Sequence, residues 1–298
     1  MKRLTIEQAV GAVNGDLLLG DPKDEITGVS TDSRKVAEGE AFFPLIGEQH
    51  DAHDFIPQAI ERGCRTVILS RKADAEALRA KYSDTGDGGG QGKPMNLILT
   101  EDTTKALQDL AKYYLSLFSI IKIGVTGSTG KTTTKEMLYW IFSEKYRTER
   151  NPGSLNNHIG LPLTVLSLPE DTQAGIFEMG MSELGEIDLL AELVRPDIGI
   201  ITNIGISHIE NLGSRENILK AKLEITDYFH EDSILIVNED SDFLSKEDVG
   251  GNYRVVTTGE TGRSNFIISN IVDFGEEGIE FTLEHKEDLQ TFRLNMPG

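Results

Sequence analysis

At 298 residues the chain exceeds the ~100–200 usual for one domain, so two domains are expected. Its 49 acidic against 29 basic residues give a formal charge of −20 with no Lys/Arg-rich run, which argues against polyanionic nucleic acid as a ligand and leaves small anions at locally positive sites. A hydrophobic fraction of 38% with 26% charged residues is that of a globular protein with a core to bury, and Cys64, the single cysteine, removes intrachain disulfides and Cys-based zinc sites and points to a reducing, cytoplasmic setting.

Met1 to Asp16 lacks the ~7–15-residue apolar centre of a signal peptide, and nowhere do ~18 apolar residues run together, so neither export nor a membrane span is expected. Over residues 1–102, apolar runs at Ala41 to Ile46, Thr66 to Leu69 and Leu97 to Leu99 alternate with helical patterns at Phe55 to Arg62 and Ala73 to Tyr82, which predicts a small α/β domain. The glycine-rich stretch between Ser83 and Pro94 reads as a flexible surface loop. From Thr103 to Phe118, apolar residues at three- and four-residue spacing predict a helix opening a second domain, 103–298. Strands near Ile121 to Val125, Ile176 to Met179, Ile198 to Thr202, Ile234 to Val237 and Arg254 to Thr257 then alternate with helices, the mark of βαβ units and a mostly parallel sheet. Three strand-like runs, Phe266 to Val272, Ile279 to Leu283 and Thr291 to Leu294, predict an antiparallel appendage. The fold class is therefore α/β, a small N-terminal domain followed by a phosphate-loop domain.

The strongest chemical signal is Gly124-Val-Thr-Gly-Ser-Thr-Gly-Lys-Thr-Thr-Thr134. It lies between an apolar strand and a helix whose Met137, Leu138, Ile141 and Phe142 can face the sheet, the context a phosphate-binding loop requires. Backbone N–H groups around Gly127 to Lys131 would turn toward phosphate oxygens, aided by the helix N-terminus; Lys131 would reach the β/γ-phosphates and Thr132 would hold Mg²⁺. The strict pattern has glycine where Val125 stands, so the match is complete only from Gly130 on. Glu178 ends a strand, where open parallel sheets collect ligands, and is either a metal ligand or an ordinary strand-end carboxylate. His208 follows a strand in the same way and reads as a ligand or a structural histidine; the other five histidines show no metal spacing. A GTPase would carry an Asn-Lys-x-Asp motif, and none occurs.

Taken together the blocks resemble the ATP-dependent Mur ligases of peptidoglycan synthesis, and within them the branch that adds D-alanyl-D-alanine. The resemblance rests on Ser30-Thr-Asp-Ser-Arg34, Asp51-Ala-His-Asp-Phe55, Thr126-Gly-Ser-Thr-Gly-Lys-Thr132, Asn156-Asn-His-Ile-Gly-Leu-Pro162, Phe177-Glu-Met-Gly180 and Asn203-Ile-Gly-Ile-Ser-His208. It implies that Thr126, Gly127, Ser128, Thr129, Gly130, Lys131, Thr132 and Thr133 bind ATP, that Thr132 and Glu178 ligate one Mg²⁺ and His208 a second, and that Lys222 stands where the family carries a carbamylated lysine. It further implies that Asn238 and Asp242 meet adenosine, that Asn156 and Asn157 lie near the γ-phosphate and peptide, and that Ser30, Asp32, Ser33 and Arg34 bind the UDP end of the substrate. The expected substrates are UDP-N-acetylmuramoyl-tripeptide and D-alanyl-D-alanine, joined through an acyl phosphate by a monomer. Asn151-Pro-Gly-Ser154 departs from the family's usual Thr-Pro-Gly-Asn. Family members also continue past Gly298 into a third domain, so low turnover is expected of these residues alone. A ligase adding the third amino acid, diaminopimelate or lysine, and a non-catalytic nucleotide-binding protein stand as alternatives.

Overall fold

The computed structural model describes residues 1–83 and 95–295, and the expected glycine-rich loop falls in 84–94, outside the described residues. The chain divides into two compact units, one of residues 1–119 with 158–172 and one of residues 120–157 with 173 onward. Among the described residues no helix is long and apolar enough to cross a membrane.

The first unit holds a five-stranded sheet of β2 (Asp16–Leu19), β7 (Asn96–Leu99), β6 (Thr66–Leu69), β5 (Glu40–Phe42) and β4 (Gly28–Ser30) in that order, with β4 to β7 parallel and β2 antiparallel. All four residues of β6 are buried, as a short β-branched run covered on both faces should be. A separate pair, β1 (Leu4–Thr5) and β3 (Glu25–Ile26), lies beside α1 (Ile6–Val13), which Thr5 and Gln8 start with a reciprocal capping box. α2 (Ile56–Glu61) and α3 (Lys72–Ser83) contribute Ile56, Ala59 and Ala75 to the core around Phe42, Val67 and Leu97.

α4 (Thr103–Ser116), expected to open the second domain, packs in the first unit instead. Its apolar stripe of Ala106, Leu107, Leu110, Ala111 and Tyr114 is buried against α1 and α6 (Gly160–Leu166). The Tyr114 hydroxyl accepts from the Lys2 backbone N–H at 2.6 Å and donates to the Leu168 carbonyl at 2.8 Å, so both chain segments of the unit are tied to this helix.

The second unit is built on a nine-stranded sheet whose order is β16 (Asp288–Leu294), β15 (Ile279–His285), β14 (Phe266–Asp273), β13 (Arg254–Gly259), β12 (Ile234–Asn238), β11 (Ile198–Ile201), β8 (Ile121–Thr126), β10 (Ala174–Glu178) and β9 (Thr148–Arg150). The strands from β9 to β14 are parallel, and β15 and β16 add the antiparallel appendage. The chain runs to β9 and β10 on one side of β8 and to β11 on the other, so β8 marks a reversal of strand order, where such sheets bind ligands.

α5 (Lys131–Ser143) follows β8 and lays Leu138, Tyr139 and Phe142 on Ile123, Val125 and Ile176. Ile141, expected to face the sheet, is 66% exposed. The helix is rotated so that positions 138 and 142, four apart, form the buried row with 135 and 139 beside it, which turns 141 outward. α7 (Glu186–Val194), α8 (Ile209–Leu212) and α9 (Arg215–Leu223) complete the unit.

Candidate functional site

The loop after β8 needs two glycines. Gly127 has φ +148°, and a Cβ there would fall 1.9 Å from Thr202 Oγ1. Gly130, at φ +78°, is the left-handed N-cap of α5 and provides no side-chain cap. The first-turn N–H groups of a thirteen-residue helix are thus left facing the loop's concavity, a place for an anion. Lys131 Nζ donates to the carbonyls of Gly127 at 2.8 Å and Ser128 at 3.4 Å. Burial lowers its pKa, and the nearby Glu178 carboxylate opposes that fall.

Residues beyond β11 hold this loop in shape. Asn203 Oδ1 accepts from the Thr129 N–H at 3.1 Å, while its Nδ2 donates to the Thr129 carbonyl at 3.2 Å and to Oγ1 at 2.9 Å. Thr202 Oγ1 donates to the same carbonyl at 2.5 Å, and the Gly205 N–H donates to Ser128 Oγ at 2.8 Å. His208 ends this clasped segment at φ 64°, exposed, as the N-cap of α8.

Glu178, at the end of β10 and 1% exposed, is the convergence point of the site. Thr132 Oγ1 donates to its Oε2 at 3.0 Å and Asn156 Nδ2 to its Oε1 at 2.8 Å. Gly180 makes room for this amide, since a Cβ there would lie 2.9 Å from the Asn156 side chain. Asn157 is exposed on the same loop. A small divalent cation suits the Thr132 and Glu178 oxygens, because Mg²⁺ with a triphosphate takes one or two protein oxygens and fills its octahedron with phosphate oxygens and water. Among the described residues no group of three or more His, Cys, Asp or Glu side chains gathers, so the protein's own donor set is sparse.

Two buried lysines stand near. Lys222 on α9 is 2% exposed, and burial first, with the charge of Lys131 second, lowers its pKa to about 7. Lys135 was missed in the sequence; the signal was a charged residue within an otherwise apolar helical row. Asn151, noticed there only as a departure from the family pattern, is fully buried and grips the Glu178 backbone from both sides, Oδ1 accepting from its N–H at 2.8 Å and Nδ2 donating to its carbonyl at 3.1 Å.

Asn238, at the end of β12, borders a cavity of about 400 Å³ with Thr134, Ile200, Ile236, Thr258 and Ile268. Asp242 is absent from that lining; its carboxylate accepts from Arg215 Nη1 at 3.1 Å, while Arg215 Nη2 donates to the Ile204 carbonyl at 2.7 Å.

In the first unit, Ser30, Asp32, Ser33 and Arg34 form one turn. Ser30 Oγ accepts from the Asp32 N–H at 3.2 Å, and Ser33 Oγ donates to Gln58 at 2.6 Å. Arg34 donates to both Asp32 oxygens at 2.9 and 3.0 Å, and chiefly this bond lowers the Asp32 pKa to about 2. The Arg34 side chain is still 76% exposed, so the fork is oriented but open to solvent. The Asp51-Ala-His53 block is a tie: His53 Nε2 accepts from the Ser70 N–H at 3.0 Å, which leaves Nδ1 protonated to donate to Asp51 Oδ1 at 2.6 Å.

The chain is similar to known proteins along most of its length. Residues 25–115 match the Mur ligase family catalytic domain and residues 125–298 the Mur ligase middle domain. The UDP-N-acetylmuramoyl-tripeptide–D-alanyl-D-alanine ligase of Bacillus subtilis is 42% identical over 97% of this chain and 59% of its own length, and that of Escherichia coli is 32% identical over 100% and 62%. Among solved structures, MurF from Acinetobacter baumannii superposes with TM-score 0.86 at 30% identity, covering 100% of this chain and 62% of that one. MurF from Thermotoga maritima in complex with ADP gives 0.76 at 29%, covering 90% and 58%. The chain thus spans about three fifths of the length of these relatives. Since the middle-domain match alone takes in more than half of the chain and the two matched segments together most of it, the chain belongs to the Mur ligase family.

Proposed function

We propose that this chain carries the nucleotide-binding and carboxyl-activating machinery of an ATP-dependent ligase that joins D-alanyl-D-alanine to UDP-N-acetylmuramoyl-tripeptide. The observation that carries the reading is the Thr132–Glu178 contact of 3.0 Å beside the Lys131 loop, with Asn156 on the second carboxylate oxygen. One carboxylate thereby joins the phosphate side of the site to the loop holding Asn156 and Asn157. The 42% identity to the Bacillus subtilis ligase supports the choice of substrates.

In this reading the terminal carboxylate of the tripeptide attacks the γ-phosphorus of ATP, releasing ADP and forming an acyl phosphate. The amine of D-alanyl-D-alanine then displaces inorganic phosphate and loses a proton as the amide forms. The protein's task is to bring anions together and spread charge off the transferring phosphoryl oxygens. Lys131 leaves the Gly127 and Ser128 carbonyls for the β/γ-phosphates, and residues Thr126 to Thr133 wrap the phosphate chain. Mg²⁺, when bound at Thr132 and Glu178, neutralises phosphate charge. His208, on the segment clasped to the loop, is the candidate for a second ion. Asn156 and Asn157 orient the reacting carboxylate. Asn238 and its cavity accept the adenosine, with Asp242 acting through Arg215, while Ser30, Asp32, Ser33 and Arg34 bind the UDP end.

Lys222 is suited to carbamylation because only the neutral amine adds CO₂, and a pKa of about 7 makes that form abundant near neutrality. The amine nitrogen bonds the CO₂ carbon and releases one proton, and the resulting carboxylate exchanges repulsion from Lys131 for attraction. Mass spectrometry under bicarbonate reads the adduct. For the reaction, phosphate release by the native protein is measured with UDP-dipeptide or UDP-tripeptide as donor and D-alanyl-D-alanine, diaminopimelate or lysine as acceptor. Release only with the tripeptide and D-alanyl-D-alanine is expected, and turnover with the dipeptide and diaminopimelate instead overturns the assignment.

A further inference from the structure

The two buried lysines of the second unit have opposite surroundings. Lys222 is buried with the like charge of Lys131 nearby. Lys135 is 0% exposed and ringed by oxygen: its ammonium donates to the Asn151 carbonyl at 2.9 Å and the Gly153 carbonyl at 3.0 Å, and lies 3.4 Å from Glu178 Oε2 and 3.5 Å from Glu136 Oε1. An ammonium taken out of water is tolerated only where such a set of acceptors replaces its hydration. Apart from Glu136 on its own helix, the acceptors belong to two structures that chain connectivity does not join: the end of β10 and the loop that begins at Asn151.

Glu178 Oε2 lies near both the Thr132 hydroxyl, at 3.0 Å, and Lys135, at 3.4 Å, while Oε1 accepts from Asn156, so each oxygen has an assigned direction. An apolar residue at 135 would strip a donor from two loop carbonyls and a counter-charge from Glu178. Lys135 sits four residues beyond Lys131, one turn deeper in α5, beneath the phosphate loop rather than within it.

We propose that Lys135 is a positioning residue whose single ammonium fixes the aim of the Glu178 carboxylate and the path of residues 151–157 together. The metal-side oxygen and the Asn156 amide are thereby presented as one assembly. This rests on the reading of Glu178 as the metal-side carboxylate.

The test is Lys135→Met, read by hydrogen exchange of residues 151–157 in the free protein and by calorimetric ATP binding across a Mg²⁺ series. Exchange in 151–157 is expected to quicken at least tenfold while β8 and β11 stay within twofold, and the Mg²⁺ midpoint for ATP binding to rise about tenfold. A folded variant with the loop still protected, or with an unmoved Mg²⁺ midpoint, overturns the proposal, even if its melting temperature falls. If Lys135→Met does not fold, the double variant Lys135→Met/Glu178→Gln, which leaves no buried charge unpaired between them, replaces it. Fast exchange confined to 151–157 then supports the proposal and a protected loop overturns it. Glu178→Gln alone separates the two ideas, since unchanged Mg²⁺ dependence in that variant removes the carboxylate reading while loop exchange in Lys135→Met still decides the clamp.

Discussion

Replacing Gly127 by alanine tests the geometry of the phosphate loop most directly. Two costs arise. The backbone at φ +148° is one that an L side chain rarely adopts, and holding a non-glycine residue in such a region costs about 1–3 kcal/mol. The new Cβ would also sit 1.9 Å from Thr202 Oγ1, so that hydroxyl must swing away and release its bond to the Thr129 carbonyl, at about 1 kcal/mol. The sum is about 2–4 kcal/mol, which at about 1.4 kcal/mol per decade equals roughly 30- to 1000-fold in an equilibrium constant. It emerges as lost stability if the free loop keeps its shape and as lost ATP affinity if the free loop relaxes, so both must be measured and added. Urea unfolding followed by circular dichroism supplies the stability, and calorimetry supplies the affinity. Combining the change with Thr202→Ala removes the 1.9 Å clash and leaves the backbone cost, so a favourable coupling of about 1 kcal/mol is expected in a double-mutant cycle. Combined losses below about 1 kcal/mol, or no coupling to Thr202, would refute the reasoning.

Two further outcomes follow from the same site. Asn203→Ala removes three bonds to Thr129 and should weaken ATP binding about tenfold with the fold intact, while Asn203→Asp, which keeps the acceptor but adds an anion beside the phosphates, should bind more weakly still; calorimetry giving the reverse order would contradict the clasp. Lys222 imposes a pH dependence: the unfolded chain keeps its proton up to the ordinary value of 10.5 and the folded chain only to about 7, so stability should rise with pH across that window, by up to about 5 kcal/mol in total. In CO₂-free buffer urea unfolding should show this rise, Lys222→Met should flatten it and be the more stable protein at pH 7, and a parallel slope in that variant would count against the buried-amine reading.

The phosphate loop, the parallel run and the terminal hairpins were legible because each is written locally, in glycine spacing, in β-branched runs near five residues long, or in alternation between turns. β1, β2, β3, β4 and β9 were not, since these strands of two to four residues are too short to show a period and no longer apolar run marks them. The placement of α4 was lost for a different reason. Its amphipathic face was read correctly, but which unit that face meets depends on residues 158–172 returning to the first unit, a long-range fact. At the site, Lys131, Thr132 and Glu178 were visible from motif and strand position, and the structure brings them together. Lys135 and Ile141 were misjudged through one helical rotation: pattern alone treated 141 as inward and passed over 135, although 135 shares the buried side with 138, 139 and 142.

The excursion of residues 158–172 also sets an order of assembly during synthesis. When α6 leaves the ribosome, β8, α5 and β9 have already emerged, yet β10, the strand that lies between β8 and β9, has not. The first unit can therefore close around α4 and α6 while the nascent second sheet still has open edges at its future centre, the kind of surface that invites mispairing. Chaperone dependence should be concentrated in the interval between the emergence of β8 and that of β10, a span that a ribosome working at about 5–20 residues per second crosses in roughly 3–10 seconds.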